Sequence, residues 1–242
     1  MNFHHPKSML CLFLLTTSIG AQISPIFRLY SGFSVPASLT MRLSQDHHQY
    51  QISRVSFYSR SLHFPLYYGM FVGVHIRIKK QRLRMGVEFL HDKIYARTKK
   101  SVALRTSDDP RKPSGRSYPF SDFLNSFSIS HGLNYLLLTV SLPFFENPGG
   151  RKHLNLFSGL GIGVMIPHVE SQRGKQRREQ YEFHAPALML HLKMEYRLTG
   201  QMVIFLGGKW GISRIRNARV VGGSVTLNPR AWHLVGGIGW GG

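Results

Sequence analysis

Glu88, His91, His131, Asn134, His168 and Glu170 are the residues whose types and spacing best suit chemistry in this 242-residue chain. Histidine titrates near neutral pH and ligates first-row metals, and a carboxylate beside it can complete an oxygen-activating metal site. The tightest grouping is P-H-V-E at 167–170, where His168 and Glu170 stand two residues apart. On a strand that spacing puts both side chains on one face. They form the candidate pair for proton transfer or metal holding, with Glu88, His91 and His131 as supporting partners. The spacing matches no two-histidine-one-carboxylate motif, so the sequence leaves the metal unknown. The competing reading makes the same six residues an internal network of ion pairs and hydrogen bonds, because polar groups turned inward must be satisfied.

Other chemistries find no footing. The chain lacks a nucleophile elbow, a Walker loop, a paired-histidine zinc helix and a dinucleotide fingerprint. Its single cysteine, Cys11, excludes an intrachain disulfide and a cysteine-based zinc site. Charge is the unusual feature: 31 Lys and Arg stand against 11 Asp and Glu, a net +20. Such a balance calls for an anionic partner. The basic residues cluster in stretches without hydrophobic period, at 97–126, 171–183 and 216–231. Among them Arg173, Lys175, Arg177 and Arg178 follow directly on His168 and Glu170, and arginine forks suit phosphate oxygens. They are the candidate lipid-phosphate ligands. Nucleic acid is not expected, since the basic stretches have neither interleaved aromatics nor a recognition helix.

The elements that would carry these residues are strands. From Asn155 to Ile166, Leu156, Leu160, Ile162, Val164 and Ile166 alternate with Phe157, Gly159, Gly161, Gly163 and Met165. One face is aliphatic and the other nearly bare, as in a closed barrel whose inner face leaves room for other side chains. Residues 184–198 alternate likewise, with Leu188, Leu190, Leu192 and Met194 opposite His191, Lys193, Glu195 and Arg197. Strands are expected at 26–35, 66–79, 83–96, 127–145, 153–167, 184–198, 202–215 and 232–241. Short turns near 81, 149 and 200 alternate with long loops, at 36–65 and in the three basic stretches. Short turns at one end and long loops at the other are the pattern of an outer-membrane barrel. The expected fold class is therefore all-β, an eight-stranded antiparallel transmembrane barrel with long basic outer loops.

Residues 1–21 read as a secretory signal: Lys7, then the apolar run Met9–Leu15, then a small polar tail to Ala21. Residues 22–242 would form the barrel domain. No later apolar run is long enough for a spanning helix, so a membrane location requires strands.

Four motifs carry a family likeness: P-L-Y-Y-G at 65–69, G-V-E-F-L-H-D-K-I-Y-A at 86–96, S-H-G-L-N-Y-L at 130–136 and G-L-G-I-G-V-M-I-P-H-V-E at 159–170. In this order they resemble the lipid A oxidase-like outer-membrane proteins of Gram-negative bacteria, a likeness covering most of residues 26–240. The resemblance implies residence in the outer membrane, lipid A or lipopolysaccharide as partner, and oxidation of the proximal glucosamine of lipid A to an aminogluconate. A metal ion working with O2 is the cofactor such an oxidation could use. A non-enzymatic barrel that binds lipopolysaccharide is the other expectation, because one fold hosts many roles.

Overall fold

Alternation along the chain becomes strand wherever the spacing predicts it, and the long loops hold strands as well. The computed structural model of the protein describes residues 22–241 apart from 65, 79–80, 147–153 and 184. The expected signal at 1–21, including Cys11, and the expected turn at 148–151 lie outside the described residues. In chain order the strands begin with β1 (Gln22–Pro36), β2 (Leu39–Gln45), β3 (His48–Val55), β4 (Phe57–Ser59), β5 (Tyr68–Ile78) and β6 (Gln81–Ala96). Next come β7 (Ser101–Ser107), β8 (Ser117–Pro119), β9 (Ser126–Glu146), β10 (Leu154–Arg173) and β11 (Gln176–Tyr181). The last are β12 (Ala185–Arg197), β13 (Met202–Ser213), β14 (Ile215–Val220), β15 (Gly223–Leu227) and β16 (Arg230–Trp240).

Eight of them close a ring in the order β1, β5, β6, β9, β10, β12, β13, β16 and back to β1, every pair antiparallel. The expected eight-stranded barrel is the observed one. Gln81 and Arg82, read as a turn, belong instead to β6, where they pair with Ile78 and Arg77.

The faces follow the expected parity. Leu160, Ile162 and Val164 point outward, as do Leu188, Leu190, Leu192 and Met194. His191, Lys193 and Glu195 point inward and are buried. Inward glycines supply the volume those side chains take up. A Cβ at Gly69 would run into the Tyr30 ring, one at Gly159 into His191, and one at Gly239 into Arg28.

The long connections are the main correction. β14, β15, β2, β3, β7 and β8 form a second, six-stranded sheet over the end of the barrel opposite the short turns. Its inner face buries Met41, Leu43, Ile52, Leu104, Val225 and Leu227 against Phe120, Phe123 and Phe127. These residues continue the core downward through Ile129, Val169 and Met165 into the barrel mouth. Of the stretches read as loops, 171–183 extends the barrel sheet as the β10–β11 hairpin, and 36–65, 97–126 and 216–231 supply this folded dome. They pack because short period-two runs such as Leu39-Thr-Met-Arg-Leu carry one apolar face. Asp46 and His47, both at positive φ, make the two-residue turn between β2 and β3.

Outside the membrane-spanning wall, Asp109 accepts from the Tyr50 hydroxyl at 2.8 Å and from Arg111 Nε at 3.1 Å. The Arg111 guanidinium holds the Asp109 carboxyl below its usual range, and burial first, then Asp109, pushes the Tyr50 phenol up to about 12. A depressed carboxyl contributes stability above its unfolded pKa and loses it as pH falls through the folded value. Asp109→Asn is therefore expected to loosen the dome at pH 7, seen as several-fold faster tryptic cleavage at Arg111 and Arg116. The difference from the unaltered protein should shrink only in strong acid. In the wall, Gly69→Val should destabilise the barrel by roughly 1–3 kcal/mol through overpacking against Tyr30. Denaturant unfolding in detergent micelles measures it.

Candidate functional site

The barrel sorts the charged residues into two populations, one inside the wall and one outside it. Inside, Glu88 is fully buried and accepts from the Tyr30 hydroxyl at 2.9 Å. Lys209 donates to both Glu88 and Tyr30, and Lys193 Nζ lies 3.9 Å from the same carboxylate. Nearer the short-turn end, Glu195 bridges Arg84 at 2.7 Å and Arg28 at 3.4 Å, and Arg84 stacks 3.6 Å over the Phe157 ring. Toward the dome, Ser34 Oγ donates to Asp92 at 2.8 Å, and His233 lies 3.2 Å from the Tyr67 hydroxyl. The free space bounded by Arg28, Arg84, Phe157 and Glu195 is only about 10 Å³, barely one water's worth. A lumen packed this way and capped by an apolar dome is a filled core.

Outside, the remaining candidates gather on β6, β9 and β10 above the apolar part of the wall. His91 pairs in register with Tyr68 and with Asn134, and Asn134 with Ile166. The His91 ring stacks on Tyr68 at 5.1 Å between centroids, and its Nδ1 lies 2.8 Å from Asn134 Oδ1. Asn134 Nδ2 donates to the Ile166 carbonyl at 3.4 Å. Two positions further along β10, His168 Nδ1 stands 3.3 Å from Glu170 Oε1, and its ring lies 4.5 Å from that of Tyr181. Glu170 also accepts from Ser130 Oγ and from Arg177 at 3.4 Å. A row of paired residues, Tyr58, Tyr95, Ser128, Glu170 and Glu179, runs across the panel. Arg60 lies over the Tyr95 ring at 4.7 Å and Arg97 over Tyr58 at 5.1 Å.

The structure thus brings together His91 with Asn134 and His168 with Glu170, on one outward panel. It separates Glu88, which belongs to the lumen. Parity makes the difference: Glu88 is an even position of β6 and faces in, whereas His91 is odd and lies on the outer face in register with Tyr68. Stacking on that ring leaves His91 buried. His131 lies within β9, and its side chain is outside the described residues. Sequence reasoning missed Tyr68, Ser130 and Tyr181. Only strand register brings Tyr68 to His91 and Tyr181 to His168.

The four basic candidates divide as well. Arg173 is ion-paired to Asp46 and ties the β10–β11 hairpin to the dome. Arg177 is shared by Glu170 and Glu179, the latter at 2.9 Å. Arg178 Nε donates to Gln180 at 3.3 Å, and Lys175 is exposed beside the hairpin tip. Lys175 and Arg178 therefore keep their charge available, while Arg173 is structural.

The panel can orient an imidazole by a carboxylate, and the exposed Lys175 and Arg178 beside it carry charge that could meet an anion. For a metal the donor set falls short: among the described residues no three His, Cys, Asp or Glu side chains gather as a cation would need.

Below the panel the same three strands turn wholly apolar. Met85, Val87, Leu138 and Ile162 line an outward groove of about 580 Å³. Exposed aliphatic residues such as Leu29, Val72, Leu190, Leu206 and Ile238 continue this band around the wall. Trp232, opposite Trp210, marks its upper edge, and Trp240 its lower. Eight residues of tilted strand between Trp232 and Trp240 give a band a little over 20 Å tall. Among the described residues no helix is long and apolar enough to cross a membrane. The closed ring, apolar band and aromatic edges define a transmembrane β-barrel of the outer-membrane type.

No protein-family model matches the chain, and no curated protein matches it in sequence. The crystal structure of Neisserial surface protein A matches at a TM-score of 0.39 with 11% identity, covering 91% of this chain and 98% of that one. The outer membrane protein OprG from Pseudomonas aeruginosa matches at 0.37 with 11% identity, covering 90% of this chain and 95% of that one. The class itself follows from this chain's own strand ring and apolar band.

The two populations of charge respond differently to mutation. Glu88→Ala leaves Lys209 and Lys193 buried beside no carboxylate, and should lower unfolding stability by about 3–5 kcal/mol. His168→Ala, at the outer edge, should change it by about 1 kcal/mol. Denaturant titration of the refolded barrel distinguishes them.

Proposed function

We propose that the protein is an outer-membrane barrel that acts on lipid A, with the outward panel as its working surface and oxidation of the proximal glucosamine as the reaction. The observation that carries this reading is direction. His91, Asn134, His168, Glu170 and Arg177 face out of the wall, directly above the apolar groove on the same strands. Leu138 stands four residues below Asn134 on β9, about 14 Å along the strand. A molecule with acyl chains in the groove would hold its sugar headgroup against the panel. His168, oriented by Glu170, would take the proton released as the sugar is oxidised, and Lys175 and Arg178 would hold phosphate oxygens. The family likeness of the motifs around His91, His131 and His168 supports the oxidation itself. A free C1 hemiacetal would lose two electrons and two protons to O2, which leaves as hydrogen peroxide. Water opening the resulting lactone would supply the oxygen gained.

Mass spectrometry of lipid A from cells with and without the protein, grown in air, tests it. The expected result is a gain of one oxygen that disappears with His168→Ala while the barrel still shows heat-modifiable migration. An unchanged lipid A mass beside a folded barrel overturns the enzymatic reading and leaves a non-enzymatic lipopolysaccharide-binding barrel.

A further inference from the structure

A second outward feature lies where β12 and β13 pass into the dome, on strands the panel does not use. Here Pro186, Leu188 and Ile212 border a pocket of about 290 Å³, with Ser213 at its floor and Arg214 and Asn228 at its rim. Proline thins the wall here. Pro186 turns its backbone polar edge to β13 and has no N–H to donate, so the β12–β13 ladder loses a bond where the wall meets the dome. The chain then leaves β13 for the dome, and the Arg214 N–H donates to the Pro186 carbonyl at 3.2 Å. That bond fixes the Arg214 backbone at the pocket edge. Arg230 pairs in register with Ile212 and is exposed beside it, and the next outward position carries the Trp232–Trp210 pair. Among the described residues neither Arg214 nor Arg230 has a carboxylate partner.

We propose that this pocket binds a phosphorylated, acylated lipid of the outer leaflet, with an acyl chain in the pocket and a phosphate held by Arg214 and Arg230. Position names the occupant. The pocket opens at the upper edge of the apolar band, continuous with Leu190, where hydrocarbon is the surrounding medium. Its volume is at the lower end of the range for small-molecule sites, enough for part of one chain. Arg214 at the rim and Arg230, exposed in register beside Ile212, are two guanidiniums with no carboxylate partner among the described residues. Guanidinium forks match phosphate geometry. A neutral lipid would satisfy the pocket and leave both charges unanswered. This site rests on the outer-membrane reading and is independent of oxidation at the panel; it is a lipid anchor on the opposite side of β10 and β12 from β9.

The test is lipid retention by the full barrel, refolded in detergent and titrated by native mass spectrometry. The probes are bis-phosphorylated lipid A, the same lipid A with its phosphates removed, and inorganic phosphate. The unaltered protein should hold the phosphorylated lipid at least about tenfold more tightly than the dephosphorylated one, the equivalent of one charge-assisted contact. The panel holds lipid as well, so the number bound per barrel is the readout. Arg214→Gln with Arg230→Gln should lower the number of phosphorylated lipids held by one, and Leu188→Trp should remove one lipid of either kind by crowding the pocket. Inorganic phosphate alone should not compete at equal concentration. Equal retention of the two lipids by the unaltered protein, or full retention by both variants with heat-modifiable migration intact, overturns the proposal. His168→Ala separates the two sites: it leaves this retention unchanged even where it abolishes the oxygen gain in lipid A.

Discussion

The carboxylate of Glu88, held by Lys209 and Tyr30 at the centre of a closed eight-stranded ring, is the interaction on which the rest of the wall depends. An eight-stranded barrel has an interior only wide enough for side chains, and no water column can solvate charges placed there. Each inward charge must therefore meet its opposite. Glu88 does so with Lys209, and Glu195 with Arg84 and Arg28. Closure of the ring brings β6 to β13 across the lumen, and without closure these pairs would not exist. Such pairs stabilise little compared with an apolar core, but they make every mispaired register expensive, because a shifted strand would strand a buried charge.

That constraint also explains the glycines. Long side chains such as Tyr30, Arg28 and His191 take the interior volume, so Gly69, Gly239 and Gly159 must yield it. The outer face is then free of structural duty apart from its contact with lipid. Polar residues placed there above the apolar band, such as His91, His168 and Glu170, pair with neighbours on the outer face and not across the lumen as Glu88 does. They sit on three adjacent strands, over a groove in the band and on the side of the wall away from the packed lumen.

The dome changes how the basic residues should be understood. Cations in a loose loop would all be available to an anionic partner. Here the hairpin from β10 to β11 is tied down: Arg173 pairs with Asp46, the Gly174 N–H donates to Asn125, and the Val221 N–H donates to Ser171 Oγ. An apolar layer from Met41 to Leu227 lies beneath. The net positive charge is thus displayed on a rigid support, and only part of it is unanswered by the protein's own carboxylates.

Period-two alternation determined the wall from sequence alone. The aliphatic face of 155–166 and the Leu188–Met194 face both appear outward, because a strand has only two faces and one must meet lipid. The pairing of His168 with Glu170 was equally legible, being two residues on one strand. The dome was less so: Val102 and Leu104, or Val225 and Leu227, are runs too short to stand out among arginines and prolines, and their partners lie in distant segments. Which candidates share a site was decided by tertiary structure. Glu88 and His91 are three residues apart, yet parity sends one into the lumen and the other to the outer panel. Asn134 and Tyr181 reach the histidines only through inter-strand register, a property of the closed ring that no single stretch of the chain contains.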